Sequence, residues 1–279
     1  GHISRTGQLM EIQRGFEVIA RNAGVPVLAA AIDGLWGSIF SFAGNKYLWK
    51  SPRLLPTHVF IAFGRPKPGD QVSTSWARRE LLDLGEKAFS ERPALKRHVG
   101  RECVRALAKH PWRACIVDRT AVRREIKCGQ LYAAVAVLSR RIRATVAERR
   151  VGIVLPPGAG AFIANLAVTA AGKIPVNLNF TAGRLANEAS MVIGGVTTVI
   201  SAAAMREKLP NFPWPDRTLD LPAEIAAAGG RRALLPWLLA VWALPNQWCA
   251  SLLGLPKMGD RAEAGLLFTS GSSGEPKGV

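Results

Sequence analysis

Thr269-Ser-Gly-Ser-Ser-Gly-Glu-Pro-Lys-Gly-Val279 is the stretch on which the reading of this chain turns. The apolar run Gly265-Leu-Leu-Phe268 leads into it and reads as a buried strand. A loop of small, hydroxylated and glycine residues follows, with one lysine, Lys277. Glycine lets the backbone turn its N–H groups inward, and Ser and Thr hydroxyls with an ammonium add donors and charge. Such a loop can therefore cradle phosphate oxygens. The order differs from the Gly-x-x-x-x-Gly-Lys-Ser/Thr phosphate loop, because Lys277 lies between Pro276 and Gly278. Ser/Gly-rich stretches also serve as flexible linkers. A linker, however, needs neither a strand before it nor Pro-Lys-Gly after it.

Upstream of this loop, from about His110, strand and helix patterns alternate. Ala114-Cys-Ile-Val117 reads as a strand, 129–147 as a helix with Leu131, Val135 and Leu138 on one face, and Arg150-Val-Gly-Ile-Val-Leu155 as a strand stopped by Pro156-Pro157-Gly158. Residues 161–171 form a helix of small and apolar residues; Ile174-Pro-Val-Asn177 and Val196-Thr-Thr-Val-Ile200 are further strands. This β-α-β-α order predicts an α/β fold with a mainly parallel sheet. Ligands in such sheets sit at the carboxyl ends of the strands, where the loop after Phe268 lies. Asn177-Leu-Asn-Phe-Thr-Ala-Gly183 reads as a polar strand-end turn with Gly183 at positive φ, the alternative being a turn that borders a ligand site.

The first 72 residues form another unit. Residues 15–22 read as a short helix, stopped by Gly24, and Val25-Pro-Val-Leu-Ala-Ala-Ala-Ile32 as a strand turned by Asp33-Gly34. His58-Val-Phe-Ile-Ala-Phe63 is a second strand, ended by Gly64-Arg-Pro-Lys-Pro-Gly69. Residues 73–109 are charged and helical and read as a connector, capped by Ser73 and interrupted at Pro93. Domain expectations are thus 1–72, a connector over 73–109, and 110–279.

The chain has 279 residues, 48% of them hydrophobic, which is enough for two domains or one large one. It starts with Gly rather than Met, carries no signal peptide and stops on its own motif, so the expectation is a piece of a longer protein. The formal charge is +17 and the pI about 10.7, a balance that attracts polyanions. The arginines come in scattered pairs such as Arg78-Arg79, Arg140-Arg141 and Arg231-Arg232. Each pair alone reads as a solvated face; summed, they favour an anionic surface at about 1 kcal/mol per well-placed cation. Cys103, Cys115, Cys128 and Cys249 lack metal-ligand spacing, and the four histidines are scattered, so the cysteines read as reduced thiols and no metal site is expected.

Residues 233–256 carry no charge but hold Trp237, Trp242 and Trp248, with Arg231-Arg232 and Lys257 at the ends. A straight helix of that length would rise about 36 Å, enough to cross a bilayer, yet Pro236 and Pro245 interrupt it. Three readings stay open: a helix pair in the membrane interface, ordinary packed helices, and a true span.

Two resemblances follow from these stretches. The 269–279 order is similar to the ATP-phosphate loop of adenylate-forming enzymes, the acyl-CoA and acyl-ACP synthetases. Gly1-His-Ile-Ser-Arg-Thr-Gly7 resembles the tail of the glycerolipid acyltransferase block Phe-Pro-Glu-Gly-x-x-Ser-Arg-x-Gly, and Val25-Pro-Val its following strand. Together with Arg150-Val-Gly-Ile-Val-Leu-Pro156 and Ala170-Ala-Gly-Lys-Ile-Pro-Val-Asn-Leu-Asn-Phe-Thr-Ala-Gly183, they resemble the bifunctional 2-acylglycerophosphoethanolamine acyltransferase/acyl-ACP synthetases. The implied fold is the C-terminal part of an acyltransferase α/β domain followed by the N-terminal part of an adenylate-forming α/β domain.

The resemblance implies fatty-acid activation with ATP and Mg²⁺ to an acyl adenylate, passage to the thiol of acyl carrier protein or CoA, and acyl transfer to a lysophospholipid. Thr269, Ser270, Gly271, Ser272, Ser273, Gly274 and Lys277 would hold the ATP phosphates, and Gly1, Ser4 and Arg5 would lie near the acceptor's phosphate. The implied location is the cytoplasmic face of a bacterial inner membrane, peripheral or anchored through 233–256, on an anionic surface, with no nucleic acid expected. The acyltransferase's His-x-x-x-x-Asp block and preceding Glu are absent, and Ile3 stands where many simple acyltransferases carry Arg. The acidic magnesium ligand, the adenine and ribose contacts and the C-terminal lid of an adenylating module are absent too, so the chain by itself is expected to catalyse neither reaction. Alternatives are a fatty acyl-CoA ligase with an inactive upstream module, or a non-catalytic basic protein that binds anionic lipid or nucleic acid.

Overall fold

The computed structural model describes residues 4–49, 58–119, 123–259, 262–270 and 276–279. The chain divides into two compact units, Gly1–Lys96 and Arg97–Val279.

In the first unit, helix α1 (Gly15–Ala23) is closed by Gly24, whose φ of 63° is the left-handed conformation that glycine adopts without a Cβ clash. Strands β1 (Ala30–Asp33) and β2 (Phe60–Phe63) pair antiparallel, Ala30 opposite Phe63 and Asp33 opposite Phe60. The expected strand from Val25 is shorter. Pro26 has no N–H to give to a ladder, and before Ala30 only an isolated bridge joins Val27 to Lys67. Helix α2 (Thr74–Ser90) packs on both strands. Its start is capped as expected, with the Ser73 side chain accepting from the Trp76 N–H at 3.2 Å. Beyond its end, Arg92 donates to both carboxylate oxygens of Asp33, at 2.5 and 2.6 Å.

The second unit opens with helix α3 (Val99–Lys109), which packs on α4 (Cys128–Thr145) and α10 (Asn246–Leu252). The stretch 73–109, read as a connector, is therefore divided: α2 belongs to the first unit and α3 to the second. Strand β3 (Ala114–Asp118) departs from the expectation of a parallel neighbour. It pairs antiparallel with β4 (Arg124–Lys127) in a ladder of its own. The physical reason is distance, since a parallel return needs a crossover of a dozen or more residues and far fewer separate these strands.

The main sheet then forms from β5 (Arg150–Ile153), β6 (Ile174–Asn177), β7 (Thr198–Ser201), β8 (Arg217–Asp220), β9 (Leu266–Ser270) and β10 (Pro276–Gly278). Their order is β10-β9-β6-β5-β7-β8. All pairs from β9 to β8 are parallel; β10 is antiparallel to β9. The sheet is mixed, and the expected parallel character holds for its body. Between the strands run α5 (Ala159–Ala170), α6 (Arg184–Gly194), α7 (Ala203–Lys208), α8 (Leu221–Ala227) and α9 (Gly230–Ala243).

Both sheet faces are covered, as a parallel sheet requires. On one face Leu138, Ile142, Val151, Ile153, Val168 and Ile200 join α4 and α5 to the strands. On the other, Val154, Val176, Leu178, Val199 and Phe212 close the core. Outside α4 a third cluster gathers Val104, Leu131, Tyr132, Val135, Val241 and Leu253. Tyr132 is fully buried there, and its hydroxyl donates to the Cys249 carbonyl at 3.1 Å. Burial pushes its phenol up, with Cys249 adding to the effect.

The uncharged stretch 233–256 is two helices, α9 and α10, broken at Leu244-Pro245. Among the described residues no helix is long and apolar enough to cross a membrane. The spanning alternative is thereby corrected, because Pro245 has no N–H to continue the ladder of α9. Trp237, Val241 and Leu244 pack into the α4 cluster, while Leu235, Leu239 and Trp242 stay exposed on the opposite stripe.

Candidate functional site

The hairpin of β9 and β10 carries both ends of the loop singled out in the sequence. Pro276 lies opposite Ser270, Lys277 opposite Thr269 and Gly278 opposite Phe268. Opposed residues share a face of the sheet, so the Thr269 hydroxyl and the Lys277 ammonium leave on the same side. Thr269 Oγ1 lies 3.5 Å from the Lys277 carbonyl oxygen. Gly271, Ser272, Ser273 and Gly274 fall outside the described residues, as does the side chain of Ser270.

Because β9 runs parallel to β6, its carboxyl end emerges beside those of Asn177 in β6 and Ile153 in β5. The described ends of the stretch, Thr269 and Lys277, thus lie at the edge where the strand-end turns of the sheet gather, which is where ligands bind in open α/β sheets. Among the described residues Lys277 forms no ion pair, and its side chain is exposed. No described carboxylate would have to be displaced for an anion to approach it.

Across from Pro276 stands the start of α6. Gly183, Arg184, Leu185 and Pro276 line an open cavity of about 550 Å³. Gly183 precedes the helix at φ 81°, as expected from its place in the turn, and among the described residues no side chain caps the first N–H groups. Uncapped N–H groups and the positive end of the helix dipole favour an anion here. Arg184 is tied to Glu188 at 2.7 Å, which removes it as a free cation. The α6 start escaped sequence reasoning, which read 177–183 as a turn and assigned no element to 184–194.

The turn from Asn177 to Gly183 is satisfied from within, in line with its reading as an ordinary turn. Asn179 Oδ1 accepts from the Thr181 N–H and hydroxyl at 3.1 and 2.7 Å, and Asn187 Nδ2 donates to the Asn179 and Gly183 carbonyls. Asn177 and Asn165 of α5 exchange reciprocal amide bonds at 2.8 and 3.0 Å. That pair borders an apolar cavity of about 430 Å³ between α3, α5, β6 and β9, walled by Phe162, Leu166, Leu266 and Leu267. Cys103 also lines it, its thiol pushed up by burial and then by Glu102. A thiol held protonated is a poor nucleophile.

In the first unit, Ser4 Oγ accepts from the Thr6 and Gly7 N–H groups at 3.2 and 3.0 Å, closing a local turn. The Arg5 guanidinium sits 5.5 Å from the centre of the Phe42 ring. Gly1 lies outside the described residues.

Residues 103–279, from within α3 through the hairpin, match the AMP-binding enzyme family. The chain belongs to this family. Among solved structures, the chain is similar to the fatty acyl-adenylate ligase from L. pneumophila in complex with acyl adenylate and pyrophosphate (20% identity, 64% of this chain and 29% of that one, TM-score 0.46). It is also similar to the Klebsiella oxytoca NpsA N-terminal subdomain in complex with 3-hydroxyanthranilyl-AMSN (18%, 66% and 40%, 0.47). A third is O-succinylbenzoate Coenzyme A synthetase from Bacillus subtilis in complex with AMP (16%, 63% and 41%, 0.43). The chain spans less than half the length of each of these structures. Within the AMP-binding enzyme family match lie the hairpin, the α6 start and the cavity beside Pro276; the apolar cavity lies within it except for Val99 and Gly100, and residues 1–102 precede it.

Proposed function

We propose that this chain contributes the phosphate-binding part of an AMP-forming ligase that activates a fatty acid as its acyl adenylate and passes it to the thiol of acyl carrier protein or CoA. One observation carries the reading. The Ser/Gly/Lys stretch leaves the carboxyl edge of a parallel sheet on a hairpin whose lysine has no ion-pair partner among the described residues. ATP is the substrate that this edge suits: Thr269 and Lys277 share one face, and the uncapped start of α6 lies across from Pro276. Ser270, Gly271, Ser272, Ser273 and Gly274 would complete the cradle. Fixed donors of this kind act by holding negative charge as it builds on the departing pyrophosphate. Magnesium would share that charge. Among the described residues no cluster of acidic or imidazole side chains would hold it without the nucleotide. The apolar walls of the cavity beside β9 favour an aliphatic acyl group.

The acyltransferase half, with Gly1, Ser4 and Arg5 beside the phosphate of a lysophospholipid, rests on sequence resemblance alone; Ser4 is engaged in its own turn and Arg5 with Phe42. We further place the protein at the cytoplasmic surface of a bacterial inner membrane, with the exposed Leu235, Leu239 and Trp242 stripe of α9 toward the lipid.

The test is fatty-acid-dependent exchange of pyrophosphate into ATP, measured on this chain joined to the remainder of an adenylating module. Removing one such donor typically costs about 3 kcal/mol, roughly a hundredfold in rate. Lys277→Ala with Ser273→Ala is expected to lose at least that. Exchange left undiminished removes the loop from the mechanism.

A further inference from the structure

A basic cavity of about 450 Å³ lies between α3, α10 and the segment that follows α10. It shares no residue with the hairpin or with the α6 start. Arg101 and Arg105 stand one turn apart on α3 and Arg97 lies just before it, with Lys257 also in the wall. Lys257 is fixed by backbone pairing: its carbonyl accepts from the His98 N–H at 3.3 Å, and Arg97 bridges Met258. Among the described residues the only carboxylate in the wall is Glu102, which serves Arg105 at 2.8 Å and Arg97 at 3.5 Å.

Among the described residues the remaining charge has no counter-charge. Arg101, only 8% exposed, gives its N–H groups to neutral acceptors, the Leu255 carbonyl at 2.6 Å and the Ser251 hydroxyl at 2.9 Å. Arg105 Nε is buried with no hydrogen-bond partner among the described residues. Lys257 has no ion-pair partner among them either. A guanidinium taken out of water without a counter-charge is costly, and an anion at the cavity mouth offsets that cost. Two exposed apolar side chains share the cavity wall: Trp248 is 59% exposed and Met258 55%. Cations beneath an exposed indole and thioether match a phosphate headgroup whose acyl chains lie alongside.

We propose that this cavity binds the phosphate group of an anionic phospholipid, with Trp248 and Met258 entering the membrane interface beside it. The site stands without the acyl-activation reading, and its failure would leave that reading intact.

The test is co-sedimentation of the chain with vesicles of phosphatidylcholine alone and of phosphatidylcholine with phosphatidic acid. Arg97→Gln with Lys257→Gln, both at the surface, is expected to weaken binding to the acidic vesicles about thirtyfold, from about 1 kcal/mol per cation. Arg78→Gln with Arg79→Gln on α2 removes the same charge elsewhere and is expected to change binding less than threefold. Trp248→Ala is expected to weaken vesicle binding while leaving titration with inorganic phosphate unchanged. Equal losses in the two double variants would mean attraction by overall charge and overturn the site. Saturable inorganic phosphate binding with no preference for acidic vesicles would overturn the lipid as its source, as would retention only by an acidic protein.

Discussion

Replacing Asn165 and Asn177 by leucine, singly and together, asks whether their amide pair is a structural clip or a polar contact held open for a ligand. The two side chains exchange bonds of 3.0 and 2.8 Å, and Asn165 Nδ2 also donates to the Ala161 carbonyl at 2.9 Å. Asn165→Leu strips Asn177 of both bonds and leaves its amide facing the new side chain. A polar group orphaned in this way costs about 1–3 kcal/mol. Both residues are half-buried, so water reaches them and the lower half of that range applies. Asn177→Leu costs less, because Asn165 keeps Ala161. Removing both partners leaves no orphan and approaches neutrality. The double variant is therefore expected to be more stable than the sum of the singles by about 1–2 kcal/mol. Urea unfolding of the four proteins, followed by circular dichroism, measures that coupling. Additive losses within about 0.5 kcal/mol would refute the reciprocal pair.

Asp33 tests the first unit: the Arg92 guanidinium, bonded to both its oxygens, holds the carboxyl below its ordinary value. A depressed carboxylate contributes above its unfolded value of about 3.9 and loses the contribution as pH falls through the folded one. Asp33→Asn is thus expected to cost about 1–2 kcal/mol at pH 7 after screening, and the gap to the parent should narrow as pH falls below about 4 and vanish below the folded value. A gap that persists there would dismiss the ion pair as its cause. Gly152→Ala tests the centre of the sheet, where an added Cβ would stand 2.8 Å from methyls of both Val196 and Val199 and 3.2 Å from Leu178 Cδ1. Overpacking costs about 1–3 kcal/mol against about 0.4–1 gained from the stiffer unfolded chain. Calorimetry should show a Tm lower by a few degrees, and an unchanged or higher Tm would mean that β5 has room to shift.

Strands with a short, bounded apolar run were legible. Ile174–Asn177 lies where its residues alone place it, and β5 and β7 fall within two residues of expectation. Elements decided by partners were not. β4 (Arg-Glu-Ile-Lys) and β8 (Arg-Thr-Leu-Asp) are polar and lack an apolar signature, and they are strands because β3 and β7 offer them ladders. The same holds for the candidate site. Lys277 and Thr269 stood out by residue type, while the α6 start and the Asn165–Asn177 pair appear only once β6 and α5 are packed.

Residue order alone established the α/β alternation, the helix stop at Gly24 and the cap at Ser73, because each depends on φ preferences, hydrogen-bonding groups and periodicity within a few neighbouring residues. Tertiary structure alone decided that β3 leaves the main sheet, which stripe of the uncharged stretch is buried, and that Arg97, Arg101, Arg105 and Lys257 converge. Those outcomes depend on which surfaces meet. Ladder pairing, burial and uncompensated charge are set between segments up to about a hundred and fifty residues apart, as the Arg101–Leu255 bond is, and no local pattern records them.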